Sequence, residues 1–172
     1  DREGKDAFDL LDEIEQKLDL KVTPLSLPIG MGYDFKGIFN IWEQNIQLFS
    51  DEQKQTIGKK LTFNSINDSK LEKAIGSAHL ELLKEELELI EAVYPKFNKK
   101  AYLDGKLNPV LFGSALNNFG IEELLNCFIE IAPEPLPKVS EERMVNPDEK
   151  KFSGFVFKIH ANMDPNHRDR LA

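Results

Sequence analysis

The sequence predicts an α/β fold containing a small α+β unit, followed by the opening of a second domain. Three observations carry this. A short apolar run at Pro109–Phe112 passes through Gly113-Ser114-Ala115 into an amphipathic helix, the strand–turn–helix signature of an open α/β sheet. An extended segment, a hairpin pattern and a strongly periodic helix over 77–93 stand upstream of it, a set that can pack as an α+β layer. Beyond Pro133 the composition turns to Pro mixed with charge, and a new alternating run begins after it.

Residues 6–18 read as a helix. Ala7, Leu11, Ile14 and Leu18 recur at helical spacing, with Leu10 widening the stripe. Asp6 can cap the start, Asp9, Asp12 and Glu13 favour the N-terminal half, and Lys17 suits the opposite pole. Val22 to Leu27 is a short extended segment, which Pro24 and Pro28 assign to an edge or to strand ends. Over "FKGIFNIWEQNIQLF", Phe35, Gly37, Phe39 and Ile41 alternate with Lys36, Ile38 and Asn40. Ile46 and Leu48 resume the alternation after Glu43-Gln44-Asn45, which predicts a hairpin.

The stretch Ser50–Ser69 is polar and predicted to be loop, with one short strand near Leu61-Thr62-Phe63. In the helix 77–93, Leu80, Leu83, Leu87 and Ile90 form the buried stripe, with Leu82, Leu89 and Val93 beside it. Pro95 stops it, and Glu81, Glu85 and Glu88 share one opposite face. In the helix 119–131, Ile121, Leu124, Leu125, Phe128 and Ile131 are expected on the buried side with Cys127 beside them, and Asn118 is a plausible cap. The segment 133–150 holds four of the nine prolines and reads as a linker of polyproline character. "FSGFVFKIH" then alternates Phe155, Phe157 and Ile159 against Val156, Lys158 and His160, the first strand of a second domain.

Composition narrows the function. The 172 residues suit one ordinary domain or one domain plus fragments, and an apolar content of 41% supplies a core. A net charge of −8 argues against a nucleic-acid surface, though not against docking to a ribonucleoprotein through its protein component. No apolar run approaches the roughly 18 residues of a membrane span, and no signal-peptide pattern opens the chain. The single cysteine, Cys127, excludes an internal disulfide framework and fits a reducing cytosol. The Asn67-Asp68-Ser69 sequon is then a chance match. Asp1 stands without a methionine and Leu171-Ala172 closes the chain soon after a predicted strand, so the sequence reads as a piece of a longer protein.

Few residues suggest chemistry. A phosphate-cradling G-x-x-x-x-G-K-[ST] is absent, and Gly58-Lys59-Lys60 fails at its last position. No Cys/His set has zinc spacing. His160, Asp164, His167 and Asp169 lie close in sequence, either as a metal cluster or as a charged turn bent by Asp164-Pro165-Asn166. His79 is expected at the surface near a helix start. The Gly113-Ser114-Ala115 turn is either a tight corner or a loop offering backbone N–H donors to a carbonyl oxygen, since ligands of open α/β sheets bind at the carboxyl ends of strands.

Two stretches, "LPIGMGYDFKGIFNIW" and "FSGFVFKIHANMDPNHRDRLA", together resemble the translational GTPases. The block Ala161–Arg170 is similar to the bacterial release-factor-3 branch and separates it from the elongation-factor-G branch, which is similar in the first stretch and in "GSA". The resemblance runs over nearly the whole chain. It implies the carboxyl part of a P-loop GTPase domain with an inserted α+β subdomain and the truncated start of a β-barrel domain. The implied ranges are 1–23 and 107–132 for the GTPase part, 24–106 for the insert, 133–150 for the linker and 151–172 for the barrel's first strand.

The family's guanine-specificity motif N-K-x-D is followed by Arg, so the opening Asp1-Arg2-Glu3 implies that Asp1 is its last residue. A carboxylate there accepts the guanine N1–H and amino edge, which adenine cannot supply. Ser114, Ala115 and Leu116 correspond to the final guanine-contacting motif, in which the alanine N–H meets guanine O6.

GTP or GDP with Mg²⁺ would serve the intact protein, but the phosphate, Mg²⁺ and catalytic motifs lie upstream of Asp1. The chain alone is therefore expected to hold no catalytic residue and no nucleotide. The implied activity is GTP hydrolysis on the ribosome during termination, releasing class I release factors. The implied stalk contact is the large-subunit stalk protein, whose basic surface Glu81, Glu85 and Glu88 would attract. The alternatives are an elongation-factor-G-like translocase, or an acidic protein-interaction module with no nucleotide role. On this reading the strand 109–112 lacks its parallel neighbours and is open to another copy, and the strand at 152–160 is poorly ordered or borrowed.

Overall fold

The structure is a computed structural model that describes residues 4–48, 60–62, 66, 69–115, 117, 119–161 and 170–171. The chain divides into two units, Asp1–Ala132 and Pro133–Ala172. The first is mixed α/β, with a parallel and an antiparallel sheet.

Helix α1, Ala7–Leu18, begins where Asp6 accepts a hydrogen bond from the Phe8 N–H, as the capping rule predicts. It ends at Asp19 in the left-handed region. Glu13 binds both Lys5 and Lys17 on its outer face. Strand β1, Val22–Pro24, runs parallel to β6, Asn108–Val110, with Thr23 opposite Pro109. This corrects the expectation that the 109–112 strand has no parallel neighbour. The two strands lie far apart in sequence, as parallel partners joined by a crossover rather than a tight turn can.

The antiparallel sheet has the order β2-β3-β4-β5, from Ser26–Ile29, Gly37–Asn40, Asn45–Leu48 and Lys60–Thr62. The predicted hairpin is β3–β4, with Asn40 opposite Asn45 and Gln44 at φ 54 in its turn. Pro28 sits on β2, an edge strand among the described residues, where its missing N–H costs no ladder bond. The short strand expected near Leu61 is β5. Most of the stretch 50–69 lies outside the described residues.

Two-residue alternation gives the sheet two faces. Leu27, Phe39 and Ile46 line up on the front by register. They pack with Leu71 and Ile75 of α2 (Ser69–Ile75), Leu80, Leu83 and Ile90 of α3 (Ser77–Val93), and Ala7. The α3 bounds match the sequence expectation, and Leu87 is partly buried against the core. Leu82, Leu89 and Val93, the residues beside the stripe, are exposed. Helices α2 and α4 (Lys99–Leu103) and the 3-10 turn Gly32–Asp34 have no counterpart in the sequence reading. They are too short for a periodic stripe to declare itself.

Helix α5, Ile121–Ile131, buries Glu123, Cys127 and Ile131, an i, i+4, i+8 row. Cys127 and Ile131 meet Leu25, with Leu111, Phe97 and Tyr102 packed around them. The expected stripe is therefore displaced: Leu124, Leu125 and Phe128 are exposed, Phe128 at 58%. The helix is apolar on more than one side, so periodicity alone could not decide which side faces inward. Gly120 precedes it at φ 70 with no side-chain cap, and Asn118, the expected cap, lies outside the described residues.

In the second unit, β7 (Lys138–Val139) pairs antiparallel with β8 (Met144–Val145), inside the segment read as a linker. Arg143 binds Glu149 with both guanidinium N–H groups at 2.6 and 2.8 Å across this turn. The strand expected over 152–160 is corrected. Among the described residues, 152–159 form no ladder, and only His160–Ala161 (β9) pairs, with Arg170–Leu171 (β10). Alternation had marked a strand, but a strand also needs a neighbour, and Phe152, Phe155 and Phe157 remain exposed.

Glu86 on α3 makes the first unit pH-sensitive. Burial and the neighbouring Asp6 carboxylate push it up to about 7, from an ordinary 4.5. The folded chain then keeps a proton that the unfolded chain releases as pH rises from about 4.5 to 7, so stability falls through that window and levels off above it. Glu86→Gln removes the effect. Its urea midpoint should exceed the parent's at pH 8 and coincide with it at pH 4; equal midpoints at both pH values would exclude this role for Glu86.

Candidate functional site

The site is built on the carboxyl end of β6. The chain leaves Val110, crosses Leu111 and Phe112, turns at Gly113–Phe119 and enters α5 at Ile121. The turn is closed by a reciprocal main-chain pair. The Ser114 N–H donates to Phe119 O at 2.9 Å, and the Phe119 N–H donates to Ser114 O at 3.2 Å. The Ser114 hydroxyl accepts from the Asn117 main-chain and side-chain N–H groups at 3.3 and 3.2 Å. Ser114 thus organises the inside of the turn, and Ala115 is exposed at its tip.

Two glycines make the turn possible. A Cβ on Gly113 would stand 2.9 Å from Phe119 O. On Gly120, at φ +70, it would stand 2.4 Å from Phe112 O and 2.8 Å from both Gly113 Cα and Ile38 Cδ1. The two ends of the loop cross backbone against backbone, which no side chain permits.

The predicted site residues separate. Ser114 and Ala115 occupy this loop together, whereas Asp1 and Leu116 lie outside the described residues. Glu81, Glu85 and Glu88 are on α3, away from its buried Leu80, Leu83 and Ile90. Of the candidate metal cluster only His160 is described, and it is exposed; Asp164, His167 and Asp169 lie outside the described residues. Among the described residues no group of His, Cys, Asp and Glu is arranged to hold a metal. The Cys127 thiol is pushed up by burial, which opposes the thiolate form. Among the described residues no helix is long and apolar enough to cross a membrane.

His79, expected at the surface, is largely covered and lies 2.9 Å from Asp34. Lys36 and His79 together hold the Asp34 carboxyl below its usual range. A groove of about 780 Å³ lies elsewhere in the unit, lined by Trp42, Leu87, Tyr94 and Phe97 among others. Trp42 meets Phe97 edge-on at 5.0 Å, and its indole N–H donates to Glu130 at 3.4 Å. Sequence reasoning missed this groove, because its walls come from segments far apart in the chain and show no shared pattern.

No family model matches the chain. Among solved structures, the crystal structure of a Thermus thermophilus protein is similar over 76% of this chain, at 18% identity and a TM-score of 0.46. The chain spans 20% of that protein's length.

The crossing at Gly113 and Gly120 is testable against Gly105, which also has φ +70 but open space where a Cβ would go. Gly105→Ala should cost about 1–2 kcal/mol, the conformational penalty alone. Gly120→Ala adds the clash and should cost at least about 3 kcal/mol in urea denaturation. Equal losses would mean that the loop yields without strain.

Proposed function

We propose that this chain is part of a translation termination factor resembling bacterial release factor 3, a GTPase that acts on the ribosome to release class I release factors. The observation that carries the reading is the position of Ser114-Ala115, on a turn that follows the carboxyl end of a parallel strand and leads into a helix. Ligands of open α/β sheets bind at such strand ends. The likeness of "ANMDPNHRDR" to the release-factor branch supplies the choice within the family. In this reading residues 1–23 and 107–132 belong to a P-loop GTPase domain, 24–106 to an inserted subdomain and 151–172 to the start of a β-barrel domain. The cytoplasm is then the place of action.

The role of each residue follows from its chemistry. Asp1 would accept the guanine N1–H and amino group, the Ala115 N–H would donate to O6, and Ser114 and Leu116 would hold the loop. GTP phosphates and Mg²⁺ would be bound by parts of the protein outside these residues, so hydrolysis is no property of this chain alone. A fluorescent guanine nucleotide titrated into the 172-residue chain should give no saturable signal. The polypeptide of the whole reading frame should bind it and release it to GDP but not to ADP. Indifference to the base would end the guanine assignment.

The row Glu81, Glu85 and Glu88 favours a second contact, with the basic surface of the large-subunit stalk protein. Reversing all three to Lys should weaken that binding and flatten its salt dependence. Binding unchanged by the triple reversal would return these residues to an ordinary solvated face.

A further inference from the structure

The back face of the antiparallel sheet holds the candidate base-contacting loop. By register the back-face residues are Ser26, Asn40 and Asn45 in one row and Pro28, Ile38 and Gln47 in the next. Ser26, Asn40, Asn45, Ile38 and Gln47 are all buried. An antiparallel sheet commonly turns such a polar row to water. Here the loop reaches Ser26 of the first row and Gln47 of the second. The Phe112 N–H donates to the Ser26 hydroxyl at 2.8 Å, at the loop's entrance. The Gly120 N–H donates to Gln47 Oε1 at 3.3 Å, at its exit, in a buried setting. Phe35, just before β3, stacks on Phe119 with ring centroids 4.7 Å apart. Both loop ends and one flank are therefore fixed by residues 73 to 86 positions away in sequence.

We propose that this sheet face is a clamp that fixes the two ends of the loop, at Phe112 and Gly120, with Ser26 and Gln47 as its positioning residues. Its link to base binding rests on the guanine reading above; the clamp itself does not. The front of the same strands carries Leu27, Phe39 and Ile46, packed on Leu80, Leu83 and Ile90 of α3. The front-face and back-face residues therefore alternate along the same strands. A single sheet is thus touched on one side by the helix with the acidic row and on the other by the loop.

Hydrogen exchange on the 172-residue chain tests the clamp without nucleotide. In Ser26→Ala and Gln47→Met, the Phe112 and Gly120 amides respectively should exchange roughly tenfold faster, the loss of one buried hydrogen bond. Amides of Phe39 and Ile46 should keep the parent rate, and Ser26→Thr should restore Phe112. Parent-like exchange at Phe112 and Gly120, or an equal rise throughout the sheet, overturns the clamp. In the polypeptide of the whole reading frame, the double variant should release GDP roughly tenfold faster with little change in association. An unchanged GDP release rate in a double variant whose loop exchanges faster overturns the coupling to the site. Failure of the unmutated polypeptide to bind guanine nucleotide overturns the guanine reading instead, while the exchange result still decides the clamp.

Discussion

The first unit depends on a sheet that is covered on both faces. The front needs only apolar contact, and Leu27, Phe39 and Ile46 receive it from α1, α2 and α3. The back is harder to bury. It carries Ser26, Asn40, Asn45 and Gln47, whose polar atoms lose water on folding and must find partners. Asn40 accepts from the Glu43 N–H at 3.0 Å within the hairpin turn, and Asn45 donates to Glu43 at 2.7 Å, while the Asn45 Oδ1 is buried without a partner among the described residues. Ser26 and Gln47 take theirs from the loop after β6. The loop's shape is thus one solution to burying a polar sheet face.

The small parallel sheet follows a related logic. The Asn108 N–H donates to Lys21 O and the Leu25 N–H to Val110 O, each at 2.8 Å. Alternation then turns Val22 and Pro24 toward the outer edge of β1. That edge is closed: the Val22 N–H donates to Glu15 of α1 at 3.0 Å, and Pro24 has no N–H. Just beyond β6, Leu111 packs on Cys127 and Ile131 of α5, a helix that leaves Leu124, Leu125 and Phe128 exposed. Parallel sheets are normally covered by helices on both faces and contain more than two strands.

Much of this was legible in the sequence, and the reason differs between elements. Helix α3 is long, with one apolar stripe and a clear stop, so its bounds and buried residues followed from spacing. The hairpin β3–β4 declared itself by alternation on both sides of a polar turn. Helix α5 is legible in the sequence but its orientation is not, because Leu124, Leu125 and Phe128 are as apolar as the Cys127 and Ile131 that point inward. The run 152–159 shows the converse: a strand pattern is only a disposition until a neighbour supplies hydrogen bonds. At the site, Gly113, Ser114 and Ala115 stood out as a handover between strand and helix. Ser26, Gln47 and Phe35 did not, since their role depends on contacts far away in sequence, which no local pattern records.

This difference bears on how such a loop works. A flexible loop that must be ordered by its ligand loses binding free energy to that ordering, whereas a loop held beforehand does not. The two ends of this loop, at 112–114 and 119–120, are held together by the crossing of Gly113 and Gly120, by the Ser114–Phe119 pair and by the two hydrogen bonds to the sheet. Its tip at Ala115 is left exposed while the loop's two ends are fastened. The burial of Ser26 and Gln47 and the fastening of the loop's ends are therefore two aspects of the same packing.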